Sequence, residues 1–418
     1  MATAPPRDRA LTPPATGPVV EAGDHHGADG PAPRPPVLVR WFAFLALPGA
    51  MFLMPQLALN ASRIDAVIIP LVLFGFVTMF RYGSPAVAGA ARALPWLWLV
   101  LIGSLLGLAT VGLTLWAVSS LAQTTYALLT FFCMWHLIHV YRLEATVYRS
   151  VRWAAIISTL ILALPSYHHR AAGYFPNPNV AGHYAATVGG FLLFGGTRTR
   201  DRWLGAITLA VGLYTSSSFG AITMVLAMSA VWFTRTLRSH TAVLAVVLIG
   251  ILLGTVFLLT RPVQEVPVEE SKVEVSSGLS ESRFEKSQTG RLRLWTRGLG
   301  QWADNPWGIG PSGASDRKFI ELHDVREDSS IGQIHSDPLG MLVERGVIGL
   351  VGWIGMWVSF WSAAPKRGLA RLMILGFLMQ TVFRETIHYR HLWIVLALAM
   401  VIDHRNEARS RGSIVAAT

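Results

Sequence analysis

Apolar residues along this chain come in long runs, and the polar residues collect between the runs rather than alternating with them. A helix needs about 20 apolar residues to cross the hydrocarbon core of a bilayer. Windows of that kind fall at 38–58, 64–80, 94–112, 118–140, 151–167, 179–196, 203–217, 219–235, 241–260, 338–360, 371–387 and 389–403. They predict an all-α polytopic membrane protein with about 12 transmembrane helices. The windows at 203–217 and 219–235 are separated by little more than Ser216-Ser217-Ser218, so they form either two spans or one re-entrant unit.

Basic residues follow the even-numbered windows: Arg81 and Arg92, Arg142 and Arg149, Arg198 and Arg200, Arg235 and Arg238, Lys366 and Arg367, Arg405 and Arg409. By the positive-inside rule those exits and both termini are cytoplasmic. The expected organisation is a disordered, Pro-rich tail over 1–36, transmembrane helices 1–9 over 37–260, one large extracytoplasmic loop over 261–337, helices 10–12 over 338–403, and a second cytoplasmic tail over 404–418.

The loop is the one long interruption of the apolar pattern. Its first part, to Thr289, has no sustained period and reads as irregular chain. From Gly290 the pattern changes, because Leu292, Trp295, Leu299 and Trp302 recur at three, four and three residues and predict an amphipathic helix ending before Asn305-Pro306. At about 100° per residue Arg291 shares the tryptophan face, while Arg293 and Arg297 lie together on the other side. A turn at Ile309-Gly310-Pro311-Ser312-Gly313 follows, and Ser336-Asp337-Pro338 supplies an N-cap and an early proline for the next helix.

Composition narrows the class. Of 418 residues 52% are hydrophobic and 14% charged, with fifteen Trp, which excludes a soluble domain of this length. The net charge of +11 belongs to the loop arginines of a membrane protein, and the chain has no basic helix or aromatic–basic interleaving that would bind nucleic acid. The single Cys133 allows neither an internal disulfide nor a thiolate metal cluster. His168, His169 and His183 do not make a metal site, since adjacent histidines diverge and no Asp, Glu or Cys completes the set.

Two loop residues carry candidate chemistry. The guanidinium of Arg291, beside aromatic rings, suits a phosphate or diphosphate because its fork offers paired donors and keeps its charge; the same spacing also suits an arginine snorkelling from an interfacial helix. His335, just outside a helix N-terminus, is expected to be neutral and able to accept a proton, or else to be an interfacial histidine bonded to a backbone carbonyl. Arg170 adds a cation on the same side. Glu344 and Arg345, inside a span, are expected to pair with one another or to line a cavity.

Three segments resemble the O-antigen ligase and O-antigen polymerase superfamily of bacterial membrane enzymes. They are Pro178-Asn179-Val180-Ala181-Gly182; Arg291-x-x-x-Trp295 with Asn305-Pro306-Trp307-Gly308-Ile309-Gly310; and His335-Ser336-x-x-Leu339 with Glu344-Arg345-Gly346-Val347-Ile348-Gly349. The resemblance implies a GT-C-like membrane fold and metal-independent, inverting glycosyl transfer, without cofactor. The donor it implies is a glycan on undecaprenyl diphosphate and the acceptor a saccharide or lipid-glycan hydroxyl, at the outer face of the cytoplasmic membrane. By that resemblance Arg291 and His335 are catalytic, Arg291 with one or more of Arg170, Arg293 and Arg384 neutralising the diphosphate and His335 taking the acceptor proton. Asn179 and Trp295 join those arginines as substrate contacts. Many members carry Ser-Arg-Gly where this chain has Ser218-Phe219-Gly220, so the cation expected there is missing, with Arg170 and Arg384 as the candidates to substitute for it. A secondary transporter is the alternative, but no internal repeat is evident and the polar chemistry gathers in one exterior loop.

Overall fold

A computed structural model describes residues 33–52, 64–112, 115–164, 178–216, 218–236, 281–311 and 334–415. The chain divides into Met1–Pro33 and Arg34–Thr418, and the account below concerns the second unit. The predicted tail through residue 32, the window at 241–260, Arg170 and the remainder of the large loop lie outside the described residues.

The described residues form helices and connections, with no strand among them. In chain order the helices are α1 (Val37–Leu45), α2 (Pro48–Phe52), α3 (Asp65–Met79), α4 (Pro85–Val111), α5 (Leu115–Val140), α6 (Glu144–Ala163), α7 (Pro178–Gly195), α8 (Thr199–Ser216), α9 (Phe219–Thr236), α10 (Glu281–Asp304), α11 (Asp337–Ala363), α12 (Leu369–Thr381) and α13 (Arg390–Val415). Three stretches, Pro85–Thr110, Ala117–Val140 and Asp337–Ala363, are long and apolar enough to cross a membrane by length and composition. Large apolar side chains such as Leu73, Val77, Phe80, Trp98, Trp203 and Leu226 are exposed on the outside of the bundle. Water would oppose that surface and lipid accepts it, which gives the chain its membrane-protein character.

Helix α13 is the central post. Leu392 through Val401 are all buried, as expected of a helix that is apolar on every side. Around it, α4 packs along α11, α7 along α8, α9 along α12, and α5 along both α3 and α13. Trp393 stacks on Trp357 at 5.7 Å and meets Phe131 and Phe360, tying α13 to α11 and α5.

At one end of the post, polar groups brace helix ends. The Asp403 carboxylate accepts from the backbone amides of Leu369 and Ala370 at 2.9 and 2.7 Å, capping α12 from a neighbouring helix. Arg405 pairs with Glu144, and Arg152 pairs with Asp201 at 3.0 Å. The candidate chemistry lies at the other end.

Three elements differ from the sequence expectation. The window at 38–58 is broken by a turn at Ala46-Leu47 between α1 and α2, where Pro48 has no N–H to donate back into α1. Helix α10 begins at Glu281, nine residues before Gly290, where the polarity pattern predicts irregular chain. Polar residues such as Glu, Arg, Lys and Gln are good helix formers without leaving an amphipathic trace. The window at 371–387 is not one continuous helix, because α12 stops at Thr381. The Thr386 amide, which a continuing helix would direct to the carbonyl four residues back, instead donates to the Asp337 carboxylate at 3.0 and 3.1 Å. The chain at 203–235 forms two separate helices, α8 and α9, with Ser218 accepting from the Ile222 amide at the start of α9.

Candidate functional site

The non-helical segment Val382–Tyr389 is the hub of the site; α11 and α9 meet it with their N-terminal turns, and α7 with its second turn. From α11, the Asp337 carboxylate takes the Thr386 amide and, at 2.8 Å, the Thr386 hydroxyl. From α9, the Phe219 ring meets the Phe383 ring edge-on at 5.3 Å. From α7, the His183 imidazole meets the Tyr389 ring edge-on at 4.9 Å. The segment then runs directly into the N-terminus of α13 at Arg390. Helix N-termini carry partial positive charge and unpaired N–H groups, so their convergence favours an anion.

Arg291 reaches this hub from α10. Its guanidinium lies over the Phe383 ring, 6.0 Å from the centroid. Burial and the neighbouring Arg384 hold its pKa below the usual guanidinium range, the direction expected when like charges share a half-buried site. The direction of α10 is fixed one turn later: Trp295 and Trp302 pack against a small apolar cluster of Ile309, Ile334 and Val343, joined by Leu339. The sequence therefore places Arg291 correctly on the tryptophan face. Arg293 lies on the same helix, with its side chain outside the described residues.

The turn after α10 is locked to α11 through backbone contacts. Helix α11 is broken at Gly346, with φ of 64°, and a Cβ there would sit 2.7 Å from the Pro306 carbonyl oxygen. Gly308, at φ of 96°, would bring a Cβ to 2.5 Å from the Glu344 carbonyl oxygen. Glycine is required at both positions by conformation and by space. The Ile309 amide donates to the Val343 carbonyl at 3.0 Å, and Thr110 of α4 donates to the Gly308 carbonyl at 2.9 Å. The Asn305–Gly310 and Glu344–Gly349 motifs are thus two halves of one joint. Arg345 is buried there, donating to Thr124 at 3.1 Å and to the Met341 sulfur at 2.9 Å.

His335 precedes α11 in a left-handed conformation, φ of 53°, which side chains other than glycine rarely adopt. The next residue, Ser336, caps the helix by accepting from the Leu339 amide at 3.5 Å. The imidazole is half-buried, and burial, then Arg384, then Arg291 push its pKa down to about 4. It is neutral near pH 7, and both guanidinia are near enough to act on it.

Arg384 is the cation that the fold brings to the site. Its Nε donates to the Tyr389 hydroxyl at 2.5 Å and its guanidinium lies 5.7 Å from that ring's centroid. Tyr389 is itself stacked on His391 at 5.6 Å, and His391 is hydrogen-bonded to His183 through ring nitrogens 3.0 Å apart. Asn179 lies half-buried in the first turn of α7, one turn before His183. Among the described residues no group of three or more His, Cys, Asp or Glu side chains could hold a metal ion. Sequence reasoning missed the roles of Asp337 and Tyr389: Asp337 binds Thr386, 49 residues away, and Tyr389 binds Arg384 across a segment whose non-helical path has no periodic signal.

No curated protein matches the chain. Residues 204–354, about a third of it, match the family model described as O-Antigen ligase. The match takes in Arg291, Trp295, His335 and the Glu344–Gly349 joint, and ends before Arg384. Its description gives glycan ligation of the O-antigen type as the general chemistry. With the membrane bundle and the paired loop motifs described above, that match supports the O-antigen ligase superfamily for this stretch.

Proposed function

We propose that the protein transfers a glycan from a polyprenyl diphosphate carrier to an acceptor hydroxyl at the outer face of the cytoplasmic membrane, with Arg291 and Arg384 holding the diphosphate and His335 acting as general base. The observation that carries this reading is the convergence of two guanidinia and one neutral imidazole on a segment surrounded by helix N-termini. Such a site is prepared for a diphosphate before the ligand arrives, the condition under which electrostatic stabilisation is most effective.

In the step, the acceptor oxygen attacks the anomeric carbon, the bond from that carbon to the diphosphate oxygen breaks with its electron pair going to the diphosphate, and the hydroxyl proton passes to His335. Attack opposite the leaving group inverts the anomeric configuration. The negative charge that develops on the leaving oxygen lies between the two guanidinia. Binding the diphosphate also neutralises the charges that depress His335, so its proton affinity rises in the complex, where a base is needed. In the same reading Asn179 and Trp295 are assigned as substrate contacts, and Arg293 and Arg170 as further positive charge for the carrier. Because diphosphate is a good leaving group already, the reading needs no metal.

The test is transfer from purified lipid-linked glycan by the detergent-purified protein, in EDTA. Turnover is expected in EDTA, and deleting the gene is expected to leave carrier-linked glycan in the membrane. Single repeat units would identify a polymerase and long chains a ligase. Unchanged carrier-linked glycan, or activity abolished by EDTA and restored by added metal, would overturn this function.

A further inference from the structure

Gln380, in the last turn of α12, is fully buried, and neither its amide nitrogen nor its amide oxygen has a hydrogen-bond partner. Such a group is costly to bury and is ordinarily satisfied, so its exception calls for an explanation. Its surroundings suggest one. Gly220, in the first turn of α9, packs beside the amide without a side chain of its own: a Cβ there would make ordinary van der Waals contact, 3.5 Å from the Gln380 Cγ, 3.8 Å from its Nε2 and 3.7 Å from the Phe383 Cβ. The Phe383 amide donates to the Gln380 carbonyl at 2.9 Å, so the ring that carries Arg291 is tied to the same turn. Phe219 and Phe383, both half-buried, set their rings edge to face at 5.3 Å.

We propose that Gln380, Phe219 and Phe383 form the subsite for the sugar joined directly to the diphosphate. The proposal rests on the function proposed above, in which Arg291 and Arg384 hold the diphosphate; Arg384 follows Gln380 by four residues, and Arg291 lies over Phe383. A pyranose next to those cations meets the half-buried Phe219 and Phe383 rings first, and reaches the amide once those side chains move aside. Sugars present C–H groups on the faces of the ring, which pack on aromatic carbon, and hydroxyl or N-acetyl groups at the rim, which both donate and accept. An amide matches that rim with two donors and an acceptor. Phe219 and Phe383 are the half-buried neighbours of the buried amide, and a sugar displaces side chains rather than backbone to reach it.

The experiment compares two probes on the purified full chain: undecaprenyl diphosphate without sugar, and native lipid-linked glycan extracted from cells lacking the gene. The variant is Gln380→Met, which keeps the volume and removes the amide. Binding of the glycan-bearing lipid is expected to weaken about tenfold, the effect of losing hydrogen bonds in a dry site. Binding of undecaprenyl diphosphate should stay within about twofold, and Tm should hold or rise because an unsatisfied buried amide has been removed. Phe219→Leu, as a second and independent variant, should weaken the glycan-bearing lipid several-fold with the same selectivity. Equal weakening of both probes, or no weakening of either, overturns the subsite. Failure of the wild-type protein to bind either lipid would instead overturn the proposed function.

Discussion

Replacing Arg384 by Gln is expected to change both the rate of transfer and its pH dependence. Arg384 has two effects in the proposed function: its guanidinium, bonded to Tyr389 at 2.5 Å, is assigned to the diphosphate, and after burial it is the largest cause of the low proton affinity of His335. Removing a donor aimed at developing charge costs about 3 kcal/mol, or roughly a hundredfold in rate. The pH effect has a definite sign. A nearby cation disfavours imidazolium, so its loss raises the His335 pKa from about 4 toward the ordinary 6.5. It stops short of that value, because burial, the larger cause, remains. The acid limb of kcat/KM, which reports the free enzyme, should therefore move upward in pH in the variant. Arg384→Lys supplies the control: it keeps the charge and so leaves the limb in place, yet slows transfer by losing the paired donors. The assay is transfer from purified lipid-linked donor from about pH 3.5 to 8, with Tm recorded at each pH. A limb that stays near its wild-type position, or moves downward, in Arg384→Gln would refute the arrangement in which Arg384 acts on His335.

His335→Ala is expected to lose on the order of a hundred to ten thousandfold in rate while still binding lipid-linked donor, and near-normal turnover would remove it as the base. Gly346→Ala should destabilise the protein by at least about 2 kcal/mol, since alanine is strained at that φ and its Cβ would meet the Pro306 and Trp307 backbone at 2.7 to 2.8 Å. Gly300→Ala, in α10 with nothing near the new Cβ, should leave Tm unchanged or raise it, so equal losses in the two variants would refute the joint between the loop and α11.

Much of this protein is written in its one-dimensional pattern. Runs of about 20 apolar residues specify helices for a membrane, and each described run carries helix, interrupted after Leu45 in the first run and ended at Thr381 in the run at 371–387. The three-and-four spacing of Leu292, Trp295, Leu299 and Trp302 specifies which side of α10 is buried, and therefore where Arg291 points. Local chemistry of this kind is legible because helix period, capping and hydrophobic burial act over a few residues. The start of α10 at Glu281 was not legible, since a helix polar on all sides has no period to detect.

Only the tertiary structure decided how the site closes. Val382–Tyr389 reads in sequence as the end of an apolar span, yet it leaves the helix because Asp337, 49 residues earlier, captures the Thr386 amide and hydroxyl. In that path Arg384 comes near enough to act on both His335 and Arg291. Tyr389 then holds Arg384 while stacking on His391, and Gln380 is left with an unpaired amide beside Gly220. None of these pairings has a period or a fixed spacing. The Asp337–Thr386 and Gln380–Gly220 pairs join residues far apart in the chain, where the free energy depends on which surfaces the packing of the bundle brings together, and no local property of the chain records that choice.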